Sequence, residues 1–221
     1  MSDEPIDEQR PVLERPALWW MAGLLLILIP ILVMAQQRPA DLPPPLAHLP
    51  NFELVDQEAR TVRGEDLQGQ VVVLDFIFTR CPDVCPIMSS RMARLAKRLK
   101  RMRLKGHPIT LVSVSVDPDY DTPSVLSLYA DRFEADSNRW RFLTGPQEEI
   151  DSLLGALMLA AVVDPNMNDD GGVPTIAHSQ RFVLIDASGG VRAFYAPHAG
   201  ETDQLVGGIR ALVVEEVGTS R

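Results

Sequence analysis

The chain has 221 residues, 46% apolar and 23% charged, with 30 acidic against 21 basic side chains and a net charge of −9. This balance excludes wholesale disorder and fibrous repeats, and the length suits one good-sized domain plus an appendage. The acidity excludes the basic footprint that nucleic-acid binding needs; two cysteines exclude a disulfide framework but leave one pair for redox or metal chemistry.

The first 15 residues carry five acids beside Arg10 and Arg15, and the 22 residues from Pro16 to Gln37 carry no charge. Residues 17–35 are nearly all apolar. Nineteen helical residues at 1.5 Å each reach about 28 Å, close to the thickness of a bilayer's hydrocarbon core. Trp19 and Trp20 stand at the edge of this run, where indoles favour the membrane interface, and Pro30 is tolerable inside a membrane helix. Val33-Met34-Ala35 offers a competing reading as the cleavage site of a secretory leader, against which the acidic flank makes a poor positive n-region. The segment is read as an uncleaved transmembrane anchor over 17–35, behind a cytoplasmic tail over 1–16. The basic residues on the N-terminal side put the bulk of the chain on the periplasmic face of the inner (cytoplasmic) membrane. Residues 36–50 hold five prolines and predict an extended, semi-rigid linker, in which His48 is a solvated residue.

Residues 51–221 alternate between two periodicities. Val71–Phe78 and Ile109–Val116 are short, mostly apolar runs rich in β-branched and aromatic residues, the pattern of strands buried on both faces. Trp140–Leu143 is a shorter candidate. Phe182–Asp186 and Val191–Tyr195 bracket the turn signal Ala187-Ser188-Gly189-Gly190 and predict a hairpin. Helical patterns fill the gaps over 86–105, 122–133 and 146–159, and a last one runs over 201–217. Strands alternating with helices predict an α/β domain whose mixed sheet is parallel at its centre. Residues 160–177, rich in Asp, Asn and Gly, are read as a long loop. Helix 86–105 carries eight of the 21 basic residues, Arg91 to Lys105, and no acid. That stripe is either the solvated face of an amphipathic helix or a docking surface for an acidic partner or anionic lipid.

The strand Val71–Phe78 runs into Thr79-Arg80-Cys81-Pro82-Asp83-Val84-Cys85-Pro86. Each cysteine precedes a proline, which disfavours helical backbone, so the pair is expected in a turn with the helix starting at Pro86. Both sulfurs then face a helix N-terminus, whose free N–H groups favour thiolates, and Arg80 adds a positive charge. Two such thiolates can hold a soft metal or close into a disulfide. His178, just ahead of Phe182–Ile185, is the favoured third ligand, because that strand should neighbour the strand that leads to the cysteines. His107, His198, Met88 and Met167 are weaker candidates, and Met88 also fits the helix's apolar stripe.

Phe78-Thr79-Arg80-Cys81-Pro82-Asp83-Val84-Cys85-Pro86, Ser113 to Thr122 (Ser-Val-Ser-Val-Asp-Pro-Asp-Tyr-Asp-Thr), Leu143-Thr144-Gly145 and His178-Ser179 resemble the Sco/SenC family in order and spacing. The resemblance implies a thioredoxin-like fold, a central mixed sheet with flanking helices behind one N-terminal transmembrane helix. It also implies one copper, Cu(I) or Cu(II), held by Cys81, Cys85 and His178. The implied role is assembly of the dinuclear copper site of cytochrome c oxidase, with that site's subunit as partner and other periplasmic copper carriers as further contacts. Arg80 and Ala177 depart from the residues usual in that family. Two other functions stay open: a thiol–disulfide oxidoreductase, in which Cys81 and Cys85 are catalytic, and a redox or copper sensor.

Overall fold

The computed structural model describes residues 19–21, 23–29, 43–102, 108–157, 161–168, 174–178, 180–198 and 200–219; for 161–168, 174–178 and 214–219 it describes the backbone alone. The chain divides into two compact units, Met1–Arg38 and Pro39–Arg221. In the first, residues 19–21 and 23–29 are helical and expose Trp19, Trp20 and the leucines and isoleucines that follow. The remainder of the predicted anchor lies outside the described residues. Among the described residues no helix is long and apolar enough to cross a membrane.

The second unit is built on the two mostly apolar runs. Val71–Ile77 (β4) is buried at all seven positions, and Ile109–Ser115 (β5) pairs with it in parallel from Val71↔Ile109 to Ile77↔Ser115. Parallel neighbours need a crossover, and the helix Val84–Met102 (α1) supplies it. Pro123–Arg132 (α2) plays the same part between β5 and Trp140–Thr144 (β6). Thr122 caps α2, its hydroxyl accepting from the Val125 amide at 3.5 Å, and Pro123 takes the first helical position, where no donor is lost.

Phe182–Ile185 (β9) and Gly190–Tyr195 (β10) form the predicted hairpin, and β9 lies antiparallel to β4 with Leu74↔Val183. Gly189 takes φ +84° in its turn, a backbone conformation that favours glycine. Gln147–Ala156 (α3) and Glu201–Thr219 (α4) complete the predicted helices. Helix α1 has a neighbour at each flank: Ser89 meets the Tyr129 hydroxyl of α2 at 3.1 Å, and Arg98 pairs with Asp203 of α4 at 2.5 Å. The expected mixed sheet, parallel at its centre, is therefore present.

Four features depart from the sequence reading. Helix α1 begins at Val84, not Pro86, so Cys85 is helical. Pro86 then sits inside the first turn, where amide groups have no intrahelical partner and a missing N–H costs nothing. Second, part of the proline-rich segment is sheet: Ala47–His48 (β1) pairs with β10, and Arg192 donates to the Pro43 carbonyl at 2.9 Å. Added at Gly190, a β-carbon would lie 2.9 Å from Pro45, so glycine lets this strap lie flat.

Third, Glu53–Asp56 (β2) and Thr61–Arg63 (β3) form an edge hairpin outside β6, giving the order β1-β10-β9-β4-β5-β6-β2-β3. Fourth, the expected loop over 160–177 holds Ala161–Asn168 (β7) and Pro174–His178 (β8), paired with each other from Ala161↔His178 to Asn168↔Pro174. The ladder pairs the inward-facing backbone groups of the two strands whatever their side chains, so polar residues are no obstacle to it. Pro165 and Pro174 are tolerated because neither strand is central.

Candidate metal centre

Where β4 ends, the Cys81 amide donates to the Phe78 carbonyl at 3.2 Å and closes a tight turn over Thr79 and Arg80. Cys81 is 8% exposed and Cys85 fully buried; both are free cysteines. Because α1 starts at Val84, its first-turn amides crowd onto Cys81, and the Cys85 N–H donates to Cys81 Sγ at 3.5 Å.

The two thiols are electrostatically unequal. A hydrogen bond from the Cys85 side chain, supported by the amides of Cys85, Asp83 and Val84, holds the Cys81 thiol down to about 5. Burial opposes this and loses. Cys85 is driven in the opposite direction, far above the usual thiol range, because Cys81 accepts its proton and burial penalises its charge. Cys81 is therefore the thiolate at neutral pH and Cys85 its buried, protonated neighbour.

The positive charge expected from Arg80 is already committed. Its guanidinium donates twice to Asp117 Oδ2, at 3.0 and 2.7 Å, and lies 4.4 Å over the Tyr120 ring. The thiolate is stabilised by the partner thiol and the helix end instead. One residue earlier, Thr79 is held by Asp121, backbone N–H to Oδ2 at 3.0 Å and hydroxyl to Oδ1 at 2.5 Å. The Ser115 hydroxyl donates to the same Oδ2 at 2.5 Å, and burial raises the Asp121 carboxyl. The segment Asp117–Asp121 is thus a clamp that sets the cysteine turn. Its role was not assigned from sequence, although the acids at 117 and 121 after a buried strand, with Arg80 after another, gave a usable signal.

His178 ends β8, its backbone paired with Ala161. Its side chain, with that of Met167, lies outside the described residues. The strand Phe182–Ile185 does neighbour the strand that leads to the cysteines, and the antiparallel β4–β9 register puts its start at the end of the sheet from which the cysteine turn leaves. His107 is outside the described residues; His48 is exposed in β1, His198 is exposed ahead of α4, and Met88 is fully buried in the core. Among the described residues no three Cys, His, Asp or Glu side chains form a metal-binding group. Of the basic stripe, Lys97 pairs with Glu134 at 2.7 Å and Arg98 with Asp203, while Arg94, Lys100 and Arg101 are exposed.

The SCO1/SenC family model matches residues 41–214. The chain belongs to the SCO1/SenC family. The SCO1 protein homolog of Bacillus subtilis is 33% identical over 145 residues, 65% of this chain and 71% of that one. The structure of BsSco, described as containing a disulfide switch in a member of the Sco family of cytochrome c oxidase assembly proteins, is 30% identical at TM-score 0.64, covering 78% of this chain and 98% of that one. Arabidopsis thaliana ScoI, solved with copper bound, is 27% identical at TM-score 0.64, covering 74% and 99%. The mixed α/β sheet is that of the Sco proteins.

Proposed function

We propose that the chain binds one copper ion through Cys81, Cys85 and His178 and passes it on during assembly of the dinuclear copper site of cytochrome c oxidase. The observation that carries this reading is the thiolate–thiol pair at the α1 N-terminus, two soft donors in one clamped turn. Two sulfurs and one imidazole suit Cu(I), which accepts low coordination, whereas zinc favours four ligands. Copper in the Arabidopsis relative supports the choice of cargo. Titration of the reduced full-length chain in detergent should give one bound Cu(I). Replacing either cysteine by alanine should abolish tight binding, since one sulfur cannot hold Cu(I) against competing thiols. His178→Ala should weaken it less and change the coordination seen by X-ray absorption; an unchanged spectrum and affinity would remove His178 from the ligand set.

A second reading, thiol–disulfide exchange, draws on the unequal cysteines: the Cys81 thiolate suits attack, and Cys85 suits resolution of the mixed disulfide. It needs no His178, so unaltered reductase activity in His178→Ala alongside altered copper coordination separates the two.

The reading includes tethering to the inner membrane by residues 17–35, with the second unit in the periplasm, where the oxidase subunit and other copper carriers are met. The uncharged run and the interfacial tryptophans support it. Alkaline carbonate should leave the chain in the membrane at full-length mass; release as a species starting near Gln36 would refute the anchor.

A further inference from the structure

We propose that the basic face of helix α1 docks on anionic phospholipid headgroups and so fixes the orientation of the second unit at the membrane surface. The inference rests on the tether proposed for residues 17–35 and adds the surface through which the tethered unit meets lipid.

Helical spacing gathers the charges. Arg91, Arg94, Arg98 and Arg101 follow one another at intervals of three and four, and Lys97 joins the row four residues before Arg101. From Arg91 to Arg101 the row runs about 15 Å along the axis. Cys85, Met88, Met92 and Leu95 bury the other side of the helix, so the row faces away from the core. No acid interrupts the sequence from Val84 to Lys105.

The charges are also weakly committed. Lys97 pairs with Glu134 and Arg98 with Asp203, but both pairs are exposed, and such pairs contribute little and yield to competing anions. Arg94, Lys100 and Arg101 are exposed and have no ion pair among the described residues.

Three observations select lipid as the occupant. Interface cores between proteins are poor in charge and rich in apolar and aromatic groups, whereas the large exposed apolar side chain on this face is Ile87, at its N-terminal end. Arginine suits phosphate, because one guanidinium donates two parallel hydrogen bonds to it. The chain also keeps the face within reach of a membrane. Arg192 holds the strap at Pro43, eight residues past the end of the apolar run at Ala35, and eight extended residues span at most about 28 Å. A net charge of −9 keeps the other faces off an anionic surface, which leaves α1 to set the orientation. Docked in this way, Cys85 stands on the far side of α1, about 10 Å from the headgroups.

Lysine acetylation reads this face directly, because all three lysines of the chain, Lys97, Lys100 and Lys105, lie in this segment. The full-length chain is placed in nanodiscs of phosphatidylcholine, or of an equal mixture with phosphatidylglycerol, and treated with an uncharged acetylating reagent. At low salt Lys97 and Lys100 should react about tenfold more slowly in the anionic discs, since each basic side chain near such a surface favours docking by about fivefold. At about 1 M salt, where the screening length falls to about 3 Å, the two discs should give one rate. Arg94→Gln with Arg101→Gln should weaken docking about twenty-five-fold and bring Lys100 within about twofold of its neutral-disc rate. Both sites are exposed, so the double variant should unfold in urea with its parent. Equal rates in the two lipids at low salt would overturn the proposal, as would slowing that the double variant retains. Slowing that appears only with an added soluble copper-site domain of an oxidase subunit would give the face to a protein. Slowing that grows with the number of chains per disc would give it to a second copy, and either result overturns lipid docking. Retention in neutral discs reports on the tether separately: a chain that leaves them lacks the anchor, and the same acetylation on phosphatidylglycerol vesicles then still decides docking.

Discussion

Replacing Cys85 by alanine should lift the Cys81 thiol from about 5 toward the ordinary thiol range. The largest cause of its depression is the hydrogen bond from the Cys85 side chain, and the variant removes that bond while leaving the first-turn amides in place. Those amides keep part of the effect, because unpaired N–H groups at a helix start favour a thiolate. Iodoacetamide alkylation reads the change directly, since only the thiolate reacts. The parent should show its rate inflection near pH 5, and at pH 6 the Cys85→Ala variant should react about tenfold more slowly. Cys81→Ala should leave almost no reactive thiol at pH 7 in the folded protein, because Cys85 is fully buried. An inflection that stays near pH 5 without Cys85 would assign the depression to the helix end alone. The assignment matters for either chemistry. A pair sharing one proton presents a single ready sulfur, and capturing copper or closing a disulfide must expel the proton that remains between them.

The central strands and their helices were legible because their patterns were extreme. Six apolar residues among the seven at Val71–Ile77 leave few alternatives to a strand covered on both faces, and the α1 stripe of Met88, Met92 and Leu95 buries as its spacing requires. The edges were not legible. Strands β2 and β3 have four and three residues, with exposed and buried positions interleaved, too few to set a period against. The strap at 43–50 was hidden by composition. Prolines signalled a spacer, yet extended backbone is what a short edge strand needs, and Arg192 and the β10 backbone supply partners from some 140 residues away.

The site divides along the same line. Cys81 and Cys85 announced themselves through residue type and position after a buried strand. The second proline misled: the steric preference of a residue before proline for extended backbone is overridden at Cys85, which lies in α1, while Pro86 itself costs the first turn no amide bond. The partner of Arg80 was beyond reach, because Asp117 lies 37 residues on and the two meet only when β4 and β5 align in register. Long-range polar contacts depend on topology, which local patterns do not encode.

Asp75 is the plainest case of a residue that the apolar run concealed, and its replacement carries the largest expected effect on stability. It is fully buried in β4; Oδ1 accepts from Ser113 at 2.6 Å, Ser113 in turn accepts from the Trp140 indole at 2.9 Å, and Oδ2 has no partner among the described residues. Burial pushes its carboxyl up to about 7, against the bond from Ser113 that opposes the rise. The folded chain therefore holds this proton between about pH 4 and 7 while the unfolded chain releases it, so stability falls as pH rises through that window. Above pH 7 the full penalty applies, on the order of 4 kcal/mol from the separation of the two values. Asp75→Asn keeps the shape and the bond to Ser113, and costs about 1–3 kcal/mol where its amide lacks an acceptor. The variant should thus gain on the parent as pH rises, with its relative stability in urea highest at pH 8 and lowest near pH 5, where the parent's carboxyl is neutral. A difference independent of pH between 5 and 8 would show that Asp75 does not titrate in the fold. The effect also reaches the thiols, because the Asp75 charge helps to keep Cys85 protonated. Removing that charge should ease loss of the Cys85 proton, so the same variant should load Cu(I) more readily above pH 7 than its parent.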